Sequence, residues 1–173
     1  MRKSTSECAV KYLVVFLSAA LLIGIGGWAA AAEKMTPEKV VEITDKVIAL
    51  VGEKGEAAFP ELKGPDFVFG ETYPTVITTD GAVLFHAVKP HLEGKNLLGL
   101  KDRNGKMFVS EIIAIANEKG SGWVEYVWPK PGEKKASPKV SYVKKGKMDG
   151  KDVVCMIGLY DVTKEFCEKQ TGK

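Results

Sequence analysis

Between Gly120 and Val143, two strand-like runs carry Trp123, Tyr126, Trp128 and Tyr142, with Lys139 beside them. Aromatic walls with one or two fixed cations are what a pocket needs to hold a small organic anion in water. The rings supply apolar area with polar tips, and the ammonium supplies the charge partner. The same residues also fit a plain β-hairpin whose aromatics fill a core and whose lysines are solvated. Strand alternation divides the set. Tyr126 and Trp128 share a face with Val124, and Trp123 points the other way in a regular strand. Lys139 and Tyr142, three residues apart, do not both point the same way.

Other chemistries find little footing. His86 and His91 are the only histidines, and neither a CxxC pair nor a His-rich cluster accompanies them, so no metal centre is expected. Ser121 and Ser141 sit in no G-x-S-x-G motif, and the cysteines stand apart in sequence from both histidines. A hydrolytic or transfer enzyme is therefore not expected, nor is any cofactor. Lys130, Lys134, Lys135, Lys139, Lys144, Lys145 and Lys147 face only Glu133 in their stretch. Without a nucleic-acid-binding motif, such a run reads as a solvated hairpin loop, and no nucleic-acid partner is expected. Cys155 and Cys167 lie on a last strand and a terminal helix. Either a disulfide between them or two buried free thiols is consistent with the sequence.

The elements that position these residues follow from local signals. Arg2, Lys3 and Lys11 precede an apolar run from Tyr12 to Trp28, and Ala29–Ala32 follows, which reads as a secretory signal peptide over residues 1–32. An uncleaved N-terminal membrane anchor is the alternative. Residues 33–173 then form one domain, periplasmic or extracellular after cleavage, in which positive and negative charges nearly balance. Thr36-Pro37-Glu38 opens a helix to Val51 by hydroxyl cap, first-turn proline and acidic first turn. Its apolar stripe also offers a surface for a homodimer. A short helical piece spans Glu56 to Leu62. The period then changes to two: Thr72–Thr79, the turn Asp80-Gly81 and Ala82–Val88 read as a tight hairpin. Lys89–Asn104 is a loop and Gly105–Glu118 a helix. Strands follow at Trp123–Trp128, Lys139–Lys144 and Lys151–Tyr160, and Thr163–Gln170 is a closing helix. The fold class is α+β: about five antiparallel strands in a PAS-like arrangement, with an N-terminal helix and helices over one face.

The order of blocks resembles a known family. Glu53-Lys-Gly-Glu-Ala-Ala-Phe59, Thr72-Tyr73-Pro-Thr-Val-Ile77, Asp80-Gly-Ala-Val-Leu-Phe-His86 and Leu92-Glu-Gly-Lys-Asn96 come first. Lys101-Asp102-Arg-Asn-Gly-Lys-Met-Phe108, Gly122-Trp-Val-Glu-Tyr126-Val-Trp-Pro129 and Lys139-Val-Ser-Tyr142 follow. From about Val47 to Tyr160 these are similar to a single Cache domain of the second type, the extracytoplasmic sensor module of bacterial chemoreceptors and histidine kinases. The resemblance implies a pocket for a short carboxylate such as acetate, propionate, lactate or pyruvate. It also implies that Tyr73, His86, Trp123, Tyr126, Trp128, Lys139 and Tyr142 line that pocket. Ala87 stands where the family usually has proline.

The chain ends thirteen residues after Tyr160, where family members normally continue into a transmembrane helix and a signalling domain. The expectation is thus a non-catalytic sensor for a small organic acid, working through a separate membrane partner, a sensor kinase or chemoreceptor. An interaction subunit of an envelope complex, its pocket occluded, is the alternative.

Overall fold

Thr36 caps the first helix as its sequence position implies: its Oγ1 accepts from the Lys39 N–H at 3.3 Å, and Pro37 stands in the first turn. This helix, α1, runs Pro37–Lys54 in a computed structural model that describes residues 35–173. The signal-peptide reading of residues 1–32 lies outside the described residues. Val40, Ile43, Val47 and Val51 recur at helical spacing and are buried on one side of α1. That stripe packs on the domain's own sheet.

The sheet has five strands: β1 (Pro74–Thr78), β2 (Val83–His86), β3 (Ser121–Pro129), β4 (Ala136–Met148) and β5 (Lys151–Tyr160). Their spatial order is β2-β1-β5-β4-β3, and all neighbours are antiparallel. The Asp80-Gly81 turn joins β1 to β2, closed by the Gly81 N–H to the Thr78 carbonyl at 3.1 Å. Gly81 has φ 93°, a conformation an L side chain rarely adopts, so glycine is required there. β4 is longer at both ends than its apolar pattern implies. Lys144, Lys145 and Lys147 therefore stand on a strand rather than in a loop, paired with Asp45 or Asp152.

The second helix, α2, covers Phe108–Lys119, and a third, α3, covers Lys164–Thr171. The sequence places the helices over one face; in the structure they cover both. Val76, Phe85, Val140, Tyr142, Val153, Cys155, Ile157 and Leu159 pack with α1 and with Cys167 of α3. Ile77, Val83, Val124, Tyr126, Val143, Val154 and Met156 pack with Phe108, Val109, Ile112 and Ile113 of α2. Helical periodicity shows which side of a helix is apolar, but it carries no information on which sheet face that side meets. β5 at the centre feeds both layers, odd residues toward α1 and even residues toward α2.

Cys155 and Cys167 are buried free thiols, which corrects the disulfide reading in favour of its alternative. Each is packed among apolar side chains, and burial pushes both thiols up, Cys167 to about 11. The reactive thiolate is thereby disfavoured at neutral pH.

The two-layer packing yields a contrast. Ile157, 1 % exposed on the central strand, loses about 2–5 kcal/mol of stability on Ile157→Ala. Phe166→Ala on the exposed side of α3 changes it by about 0.5 kcal/mol or less. Urea unfolding of both variants checks this.

Candidate functional site

Between the α2 layer and the sheet the packing is incomplete and a cavity of about 30 Å³ remains. Alternation decides who faces it. On β3, Tyr126 and Trp128 point to it; on β4, Lys139 and Ser141; on β5, Met156 and Gly158. Tyr73, just ahead of β1, and Thr75 stand on the same face.

His86 reaches this face only because β2 is bulged. Val76 pairs with Phe85 while the next residue, Ile77, pairs with Val83, so Leu84 is an extra residue in the ladder. A bulge of this kind re-aims the side chains beyond it. Val83 and His86, three apart, consequently both line the cavity, while Phe85 packs toward α1. Ala87 continues from the bulged strand by donating its N–H to the Pro74 carbonyl at 3.3 Å, a bond that a proline there would lack.

Lys139 is the centre of the site. It is 4 % exposed, and no carboxylate among the described residues pairs with it. Its Nζ lies 4.1 Å from the centroid of the Tyr73 ring and 4.8 Å from that of Tyr160. Burial, with a smaller contribution from the Lys89 charge, pulls the ammonium down to about 7. Around it stand Tyr73 ahead of β1, His86 on β2, Lys89 beyond it, Tyr126 on β3 and Tyr160 on β5. Among the described residues, α2 contributes Phe108 and Val109 to the cavity lining, and no acidic side chain is part of it.

The remaining polar groups are donors. His86 Nδ1 accepts from the Lys89 N–H at 3.1 Å and the Val88 N–H at 3.4 Å, which leaves the ring proton on Nε2. Burial and the Lys139 and Lys89 charges bring His86 down to about 3, so it is neutral at physiological pH. Its ring stacks on Tyr73, centroids 5.2 Å apart. The Tyr73 hydroxyl is buried and has no hydrogen-bond partner among the described residues. Tyr126 and Ser141 hydroxyls are 2.9 Å apart. One proton holds that pair together, which leaves the pair one O–H to offer. Burial raises both Tyr73 and Tyr126, keeping them protonated. Phe108 stacks on Tyr126 at 4.5 Å and meets Trp128 at 5.5 Å, forming the apolar wall. Lys89 covers the outer ring, its Nζ 4.6 Å from the Trp128 centroid.

The structure thus brings together Tyr73, His86, Tyr126, Trp128 and Lys139 and separates Trp123 and Tyr142 from them. Trp123 and Tyr142 meet on the α1 face at 5.1 Å, where Trp123 Nε1 donates to Thr171 Oγ1 at 3.0 Å. The regular β3–β4 ladder, with Trp123 opposite Tyr142, leaves no bulge to turn either one inward. Residues absent from the sequence expectation are Thr75, Ser141, Lys89, Phe108, Gly158 and Tyr160. Ser141 was within reach, since it alternates with Lys139. His91 is exposed, and among the described residues no three His, Cys, Asp or Glu side chains cluster to hold a metal. Asp102 folds its own loop, Oδ1 accepting from the Asn104 and Lys106 N–H groups and Oδ2 from the Val127 N–H on β3.

A partly enclosed space lined by donors, the Lys139 ammonium and aromatic rings is suited to a small anion with a short apolar tail. Comparison with known proteins gives this geometry a family. The Cache domain family model matches residues 53–166. A solved periplasmic sensor domain of a chemotaxis protein is 29% identical, with a TM-score of 0.66 over 73% of this chain and 95% of that one. A Cache chemosensory domain solved for its carboxylic acid recognition is 26% identical, TM-score 0.57, over 73% and 86%. The methyl-accepting chemotaxis protein McpP of Pseudomonas putida is 30% identical over 87 residues, which span half of this chain and 16% of that protein. The chain belongs to the Cache family, and its described residues form a single Cache domain of the second type.

Proposed function

We propose that this domain is an extracytoplasmic sensor that binds a short-chain carboxylate without catalysis and acts through a membrane partner of the chemoreceptor or sensor-kinase kind. The observation that carries it is Lys139, a buried ammonium that no acidic side chain among the described residues neutralises. A carboxylate entering the cavity surrenders strong hydration and must find fixed donors. Lys139 meets its charge, and His86 Nε2, the Tyr73 hydroxyl and the Tyr126–Ser141 pair supply hydrogen bonds. Trp128 and Phe108 take the alkyl tail. A single buried water needs roughly 10–15 Å³ of such space. The cavity's 30 Å³ therefore favours two or three carbons over a sugar or a long acid. Support comes also from the relatives, one of them a domain described by its recognition of carboxylic acids and another a methyl-accepting chemotaxis protein. Charge-assisted bonds contribute about 1.5–3 kcal/mol each. A few of them, less association entropy, correspond to roughly micromolar to millimolar affinity.

Isothermal titration or thermal shift with acetate, propionate, lactate and pyruvate tests the reading. At least one acid is expected to bind, and Lys139→Met, which keeps most of the stem but no charge, weakens it by about 10–150-fold. A folded protein that ignores the whole panel leaves an occluded pocket, and the interaction-subunit reading takes its place.

Protonation gives a second expectation. In the empty cavity Lys139 releases its proton near pH 7, whereas a bound carboxylate holds the ammonium charged. Binding above that pH must therefore take up a proton. Affinity is expected to be level between about pH 5.5 and 7 and to fall by up to tenfold per unit above 7. Titration in buffers of different ionisation enthalpy measures the uptake directly. A flat affinity from pH 7 to 9 contradicts it.

A further inference from the structure

Gly158 lines the cavity from within the central strand, where glycine is unfavourable in itself. Its backbone does not call for it, since its φ lies outside the positive range that excludes other residues. The reason is space. A Cβ on Gly158 would collide with Lys139 Cε and Ser141 Oγ and would lie 3.1 Å from Lys139 Cγ. The register shows what passes through that space. Lys139 pairs with Tyr160 and Ser141 with Gly158 across β4–β5. On the other side of β5, Pro74 pairs with Ile157, which brings the preceding residue, Tyr73, opposite Gly158. The lysine stem leans from β4 over Gly158 to set its Nζ above the Tyr73 ring.

We propose that Gly158 is the positioning residue of this site: its missing side chain is the notch through which the Lys139 stem crosses the central strand to present its ammonium inside the cavity. An alanine at 158 turns the lysine out while the fold survives, because the atom most in conflict is the far end of a flexible chain and the other, the Ser141 hydroxyl, turns about a single bond. The proposal adds to the acid-binding reading a requirement on a residue with no polar side chain. It rests on that reading only for its ligand arm.

Gly158→Ala in the full chain tests it, with Lys139→Met as reference. The first arm needs no ligand. A lysine that holds its proton less tightly folded than unfolded makes stability rise with pH between about 7 and the ordinary lysine range. A lysine in solvent contributes no such rise. Urea unfolding from pH 6 to 9.5 is expected to show that Gly158→Ala has lost the same part of the rise as Lys139→Met. In the second arm, Gly158→Ala weakens the acid that the parent binds by the same factor as Lys139→Met, about 10–150-fold. If no acid binds the parent, the first arm still decides. A parent-like stability profile in Gly158→Ala, or parent-like acid affinity, overturns the proposal. Should Gly158→Ala not fold, the double variant Gly158→Ala/Lys139→Ala is compared with Lys139→Ala. Recovery to the stability of that single variant upholds the conflict with the lysine stem, and continued failure to fold overturns it.

Discussion

An ammonium group enclosed by the fold, with no carboxylate of the described residues to pair with it, is the constraint around which the site is arranged. Burying a charge unpaired is among the least favourable things a fold can do. Two features moderate it here. The faces of Tyr73 and Tyr160 lie 4.1 and 4.8 Å from Lys139 Nζ and offer their negative π-density. The group's proton affinity is also lowered enough that the neutral amine is accessible near pH 7. Neither supplies a full counter-charge. The site therefore carries an electrostatic disadvantage of the kind that a bound anion would relieve.

The other polar groups are fixed in their donor forms, and for a common reason. Burial disfavours charge, so it keeps His86 unprotonated and Tyr73 and Tyr126 undissociated. With Nδ1 occupied by backbone N–H groups, His86 has only an N–H to offer. With no acidic side chain among its described lining residues, the site offers an amino group no acceptor comparable to a carboxylate. Phe108 and Trp128 close the apolar end of the cavity.

Much of this was legible in the chain because it is local. The Thr36 cap, the Pro37 first turn, the α1 stripe and the Asp80-Gly81 hairpin each rest on a few adjacent residues. The opposed directions of Trp123 and Tyr126 follow from strand period alone, and so does the conflict between Lys139 and Tyr142. What the chain did not disclose depends on register between distant strands. His86 joins the site through a bulge at Leu84 that exists only in the pairing with β1. Tyr160 meets Lys139 because β4 and β5 align those two residues. The role open to Gly158 requires knowing that a lysine nineteen residues earlier lies across it. The aromatic grouping from Gly120 to Val143 mixed residues of two faces, because composition carries no parity until the strands are in register.

The two faces of the sheet divide the work, and the division explains how a pocket with an unpaired charge is tolerated. Toward α1 the packing is dense and almost wholly apolar, with Val40, Val47, Val51, Val76, Phe85, Tyr142 and Ile157 all at or below 1 % exposure. Toward α2 an apolar cluster surrounds a void, a buried lysine and the hydroxyl groups of Tyr73, Thr75, Tyr126 and Ser141. Hydrophobic burial is the main favourable contribution to folding and scales with area, so the first face supplies stability that the second can partly give up. Both are built from the same central strand, whose odd residues close one core while its even residues floor the site. Ile157 and Gly158 are therefore neighbours in sequence with unlike consequences: one closes the packing against α1, and the other leaves room for the Lys139 stem.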